Sequence, residues 1–145
     1  MPTTVIANAA IVTGNPARDV IHDGAVAITD DVVSAVGPAE SVLASNSGAD
    51  VIDGRGKAVF PGLINCHAHL LNVLSRGITE DFGFPPDLPF PVSIYSMVDD
   101  EERNALAALA AVEAIRSGST TLMEMAAGID VYARSIVDTG LRLIL

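Results

Sequence analysis

Residues 61–70 read Pro61-Gly62-Leu63-Ile64-Asn65-Cys66-His67-Ala68-His69-Leu70, and the fold is decided around them. Pro-Gly punctuates the chain, a short buried-looking apolar run follows, and two histidines stand two apart at its end. In a β-strand, side chains two apart share a face. His67 and His69 therefore project together, with Leu63 and Asn65 on their side and Ile64, Cys66 and Ala68 on the other. Cys66 is expected to pack against helices and not to bind metal. Two imidazoles side by side suit one divalent cation, zinc first, although imidazole also accepts iron, nickel or copper. The bare His-x-His spacing is a weak signal, and the flanking residues give it weight.

Downstream, about thirty residues show weak periodicity and include Phe82, Phe84 and Phe90. Asp99 with Glu102 three residues on is a capping box with Asp in place of Ser. It predicts a helix whose buried stripe is Ala105, Ala108, Leu109, Val112 and Ile115, stopped by Gly118. Thr120-Thr121-Leu122-Met123-Glu124-Met125 reads as a strand. Asp130–Thr139 reads as a second helix, with Tyr132 and Ile136 four apart, and Leu141-Arg142-Leu143-Ile144-Leu145 as a third strand. Strand, helix, strand, helix, strand is the grammar of a parallel sheet with right-handed crossovers. In such architectures ligands bind at the carboxyl ends of the strands, where the histidine pair falls.

Upstream, the first sixty residues read as short strands separated by turns. Val5-Ile6 and Ile11-Val12 are apolar pairs flanking Asn8-Ala9-Ala10. Gly24–Ile28 and Val32–Val36 flank Asp30-Asp31, which suggests a tight hairpin. Val51-Ile52 starts a further strand that Asp53-Gly54 turns. The division expected is residues 1–60 as a β-layer and 61–145 as β/α units.

Composition narrows the class. The 145 residues are 50% hydrophobic, which excludes a disordered, low-hydrophobicity chain. Eight Lys and Arg against eighteen Asp and Glu argue against a nucleic-acid partner. No apolar run is long enough for a membrane span, and no basic region precedes an apolar core at the N-terminus. One cysteine excludes an internal disulfide framework and fits a reducing, cytoplasmic setting.

The string from Pro61 to His69 closely resembles the Pro-Gly-x-x-Asn-x-His-x-His signature of the amidohydrolase superfamily. Asp53-Gly54-x-Gly-Lys57 and Gly118-Ser119-Thr120-Thr121 fit the same pattern. Asn8-Ala9-x-Ile11-Val12, Asp23-Gly24-Ala25-Val26 and Val36-Gly37 resemble that family's opening β-domain. Leu74-Ser75-Arg76-Gly77 is similar to the cytosine deaminase, chlorohydrolase and adenosine-derivative deaminase branch. The resemblance implies an α/β fold, the N-terminal part of a TIM-like (β/α)8 barrel preceded by part of a composite β-sandwich. Such a barrel takes about 250 residues, so it is incomplete in this chain, which reads as an N-terminal fragment. His67 and His69 carry over as metal ligands, for one divalent ion, zinc or another transition metal. The family's remaining ligands and proton-handling residues have no counterpart, since the third histidine, His22, lies in the β-layer and reads as a surface residue. No catalytic residue is therefore assigned in this chain.

The function implied is metal-dependent hydrolysis of a non-peptide carbon–nitrogen bond, of deaminase or chlorohydrolase type, on a small nitrogen heterocycle. The chain alone is expected to be inactive, and a homo-oligomer is compatible with the reading. Two alternatives stand beside it: a two-metal cyclic amidase of hydantoinase or dihydroorotase kind, and a truncated non-catalytic protein. Other residues have two readings each. Asn65 supports a ligand or satisfies backbone; Glu124 orients an imidazole or forms a rim salt bridge. Arg76 grips an anionic substrate or pairs locally with Glu80 and Asp81. Phe82, Phe84, Phe90 and Tyr95 wall a pocket or pack on one another, and Met123 and Met125 read as core filler.

Overall fold

A computed structural model of the chain describes residues 2–78 and 94–145. Glu80, Asp81, Phe82, Phe84 and Phe90 lie outside the described residues. The chain divides into two compact units, Met1–Pro61 and Gly62–Leu145.

The first unit is built on β1 (Thr3–Val12), β2 (Val20–Thr29) and β3 (Val32–Pro38), followed by α1 (Ala39–Ser45), β4 (Asp50–Asp53) and β5 (Ala58–Val59). The sheet order is β3-β2-β1-β4, with β5 also paired to β1. β1 runs antiparallel to β2 and parallel to β4 and β5. The two apolar pairs of β1 belong to one continuous strand, not to separate strands. Asn8 takes φ of 60° inside it, where the register against β2 shifts. That is a bulge, stabilised where Asn8 Nδ2 donates to Asp53 Oδ1 at 2.9 Å. Thr29 pairs with Val32, so Asp30-Asp31 forms a two-residue hairpin, with Asp30 at φ of 54°. α1 was not foreseen, because seven residues carry too little periodicity; Ala39 and Val42 bury it against Val5, Ala7, Ala25 and Ala27.

The second unit holds β6 (Leu63–Ala68), α2 (Asp100–Arg116), β7 (Ser119–Glu124), α3 (Ala133–Val137) and β8 (Arg142–Ile144). Its sheet is parallel in the order β6-β7-β8. Short 3₁₀ turns cover Leu70–Ser75, Ile94–Met97 and Ile129–Val131. The core is Leu70, Ala107, Ala110, Ala111, Leu122, Tyr132, Ile136 and Leu141.

Two burial expectations are corrected here. α2 buries an alanine face, Ala107, Ala110 and Ala111, while Ala105, Leu109, Val112 and Ile115 are exposed and Ala108 is half-buried. The run Leu63–Cys66 is exposed, Cys66 included: β6 pairs only with β7 among the described residues, and both of its faces are open along this run. No described helix is long and apolar enough to cross a membrane.

Candidate metal centre

β6 ends at Ala68, and His69 lies just beyond it at φ −133°, ψ 86°, leading into the Leu70–Ser75 turn. His67 and His69 nevertheless converge. Their Nε2 atoms are 3.1 Å apart, with ring centroids at 4.8 Å and planes at 87°. Two nitrogens at that separation tolerate a single proton or a cation between them, since two N–H groups would collide. Zinc–imidazole distances of about 2.0–2.1 Å with tetrahedral angles place two ligand nitrogens about 3.3 Å apart. The pair fits a shared cation in donor type and spacing. Among the described residues no third His, Cys, Asp or Glu joins it in a metal-binding cluster. His22 is exposed in the other unit.

The two arms are fixed differently. Asn65 Oδ1 accepts from the backbone N–H of His67 at 3.1 Å, a local clamp two residues long. His69 is held from β7: the Met125 N–H donates to the Ala68 carbonyl at 3.0 Å, and Glu124 Oε2 accepts from the Leu70 N–H at 2.9 Å. Glu124 is 4% exposed, and its Oε1 accepts from the Tyr132 hydroxyl at 3.4 Å. Burial raises its pKa above the ordinary carboxylate value, against the opposing pull of these hydrogen bonds and the histidines. Burial, followed by the Glu124 charge and hydrogen bond, pushes the Tyr132 hydroxyl up to about 12.

His69 and Glu124 open onto a cavity of about 390 Å³, lined also by Asn72, Tyr95, Arg103, Met125 and Tyr132. The Tyr95 hydroxyl donates to Asn72 Oδ1. Arg103 donates to the Tyr95 carbonyl at 3.1 Å and pairs with Asp100 at 3.2 Å. Tyr95 thus falls on the cavity wall, as one of its two readings had it. Met125 is a correction: it is half exposed and lines the cavity, so it is not core filler. Arg76 pairs with Glu113 of α2 at 2.9 Å, and this hydrogen bond holds Glu113 below the usual carboxylate range. The buried Glu124–Tyr132 couple was missed as a unit. The available signal was a lone carboxylate closing an otherwise apolar strand.

The second unit is thus a set of parallel β/α elements with an imidazole pair at the carboxyl end of its first strand. The fold matches the crystal structure of a mutant atrazine chlorohydrolase from Arthrobacter aurescens, complexed with zinc and atraton. That match has a TM-score of 0.76 and 22% identity, over 97% of this chain and 34% of that one. It also matches an amidohydrolase from an environmental sample of the Sargasso Sea, at TM-score 0.72 and 23% identity, over 99% and 33%. The sequence pattern of the Amidohydrolase family matches residues 58–145, and the chain belongs to that family. A 5-methylthioadenosine/S-adenosylhomocysteine deaminase of Nitratidesulfovibrio vulgaris is 36% identical over 95% of this chain and 32% of its own length. A 5'-deoxyadenosine deaminase of Methanosarcina mazei is 33% identical over 98% and 32%. The chain thus spans about a third of the length of these curated relatives.

Proposed function

We propose that these residues supply the first metal ligands and part of the substrate cavity of a hydrolase acting on non-peptide carbon–nitrogen bonds, a deaminase of adenosine-type heterocycles. The observation that carries the reading is the 3.1 Å approach of the His67 and His69 Nε2 atoms beside a cavity that His69 lines. The deaminase relatives, at 33–36% identity, favour adenosine derivatives over the triazine and cyclic-amide alternatives.

His67 and His69 would hold one divalent cation, zinc or another transition metal, through neutral imidazole nitrogens. When bound, such an ion supplies an acidified water at neutral pH and stabilises negative charge on the attacked group. The residues of this chain do the rest of what can be derived. Asn65 and Glu124 fix the two backbone segments that carry the imidazoles. Tyr95 and Met125 offer apolar surface for a planar ring, and Asn72 and Arg103 offer polar edges that orient it. Among the described residues no group is assigned to proton delivery to a leaving nitrogen, so activity is assigned to a protein of the relatives' full length and not to these 145 residues alone.

The same reading takes Gly62–Leu145 as the opening strands of a (β/α)8 barrel, supported by the parallel β6-β7-β8 order. It takes residues 1–60 as part of a β-sandwich. The exposed Val20, Val33, Val36 and Phe60, around a cavity of about 710 Å³, give that sheet an apolar face that a second sheet would cover. A cytoplasmic location belongs to this reading too, supported by the single free cysteine.

The test is metal content and deamination of 5-methylthioadenosine by a protein of the relatives' full length that carries these residues, followed by ultraviolet absorbance. The wild type is expected to carry a divalent ion and to deaminate. His67→Ala and His69→Ala are each expected to lose the ion and the activity. Unchanged metal content in either variant removes the ligand assignment, and turnover of a triazine with no action on adenosine derivatives would replace the substrate class.

A further inference from the structure

We propose that Glu124, held by Tyr132, is a positioning residue that fixes the backbone carrying His69 and thereby sets how tightly the imidazole pair grips a divalent cation. The inference rests on the metal-binding reading of His67 and His69. His69 lies outside β6, so no sheet ladder orders it directly. It is bracketed instead. On one side the Ala68 carbonyl accepts from Met125, and on the other the Leu70 N–H donates to Glu124 at 2.9 Å.

Leu70 opens a 3₁₀ turn, and the first N–H groups of any helical turn lack partners within it. His69, at the cap position, contributes no side-chain cap. Glu124 provides the missing acceptor from the neighbouring strand, where it stands in register with Ala68. Its second oxygen is taken by the buried Tyr132 hydroxyl. A carboxylate with both oxygens engaged and 4% exposure has one orientation available. Without it, the buried Leu70 N–H is left unsatisfied, and the turn that aims His69 must shift to find another partner. His67, clamped by Asn65 through a bond of its own, would stay in place. The expected consequence is a split pair: one arm fixed, the other free.

The experiment is zinc competition against a chromogenic chelator, on a purified protein of the relatives' full length that carries these residues, alongside thermal melting followed by circular dichroism. Glu124→Ala is expected to weaken zinc binding by about ten-fold or more, the scale of losing a group that orients a ligand. Glu124→Gln keeps an oxygen acceptor for Leu70 and is expected to stay within about three-fold of wild type. A merely structural role would lower the melting temperature of both variants and leave the affinity of the folded protein unchanged, which overturns the proposal. Gln falling as far as Ala also overturns it, since the effect would then be charge and not the hydrogen bond. If Glu124→Ala does not fold, Glu124→Asp takes its place: charge is kept, the reach to Leu70 is shortened by a methylene, and affinity at the wild-type level overturns the role. Zinc binding that is absent in wild type, or indifferent to His67→Ala and His69→Ala, removes the metal reading and this inference with it. Binding that needs both histidines but ignores Glu124 removes this inference alone.

Discussion

Gly62 shows how a single side chain can be excluded by its neighbours. A Cβ there would lie 2.0 Å from Thr120 Oγ1 and 2.6 Å from Thr120 Cβ. The second distance cannot be relieved by a rotamer change, because Thr120 Cβ is fixed to the β7 backbone. Gly62→Ala is expected to push β6 and β7 apart and lower stability by about 1–3 kcal/mol. Denaturant titration measures this, and a double-mutant cycle with Thr120→Gly should recover part of the loss. At Tyr132 the effect is one of titration. Its hydroxyl, pushed up from 10.0 to about 12, keeps its proton in the folded state at pH values where an unfolded tyrosine has lost it. Between pH 10 and 12 the folded chain binds more protons, so stability falls as pH rises through that window. Tyr132→Phe is expected to flatten the decline in melting temperature across those pH values. An unchanged slope would mean that burial does not perturb this hydroxyl.

At the scale of elements, α2 begins where its sequence says it should. Asp99 Oδ1 accepts from the Glu102 N–H, and Glu102 Oε2 accepts from the Asp99 N–H, both at 2.9 Å. Asp99→Ala is expected to cost about 1 kcal/mol in thermal or denaturant unfolding. The box was legible because it is local: four residues decide it. The face that α2 buries was not, because two apolar stripes compete on it. Leu109, Val112 and Ile115 repeat at helical spacing, but so do Ala107, Ala111 and Ala114. Packing decides between them, for α2 lies against the Leu70–Ser75 turn, α3 and β7, and alanine permits the close approach. The same distinction holds at the site. Strand spacing suggested that His67 and His69 project together, and they do converge, but His69 stands just past the end of β6 and reaches His67 from the start of the Leu70–Ser75 turn. The bond from Leu70 to Glu124 joins residues 54 apart, and nothing local announces it.

Across the whole molecule, ligand count and uncovered apolar surface lead to one expectation for the 145 residues expressed by themselves. Catalytic zinc sites hold their ion with about three protein ligands, and among the described residues only the His67–His69 pair converges. Each absent ligand weakens retention, and metal binding in such sites is coupled to order in the residues that form them. The chain also leaves Val33, Phe60, Leu63, Ile64, Leu109 and Leu145 exposed. Large apolar side chains left exposed on each of the two units favour association. The isolated polypeptide is therefore expected to bind a hydrophobic dye, to lose zinc on gel filtration, and to leave 5-methylthioadenosine unchanged. Acidification should release any bound ion further, because ligation needs neutral imidazoles. The check is a side-by-side measurement of dye fluorescence, zinc content and deamination for this polypeptide and for a chain of the relatives' full length. Equal turnover by the two would show that 145 residues suffice, and that the proton-handling groups lie within this chain.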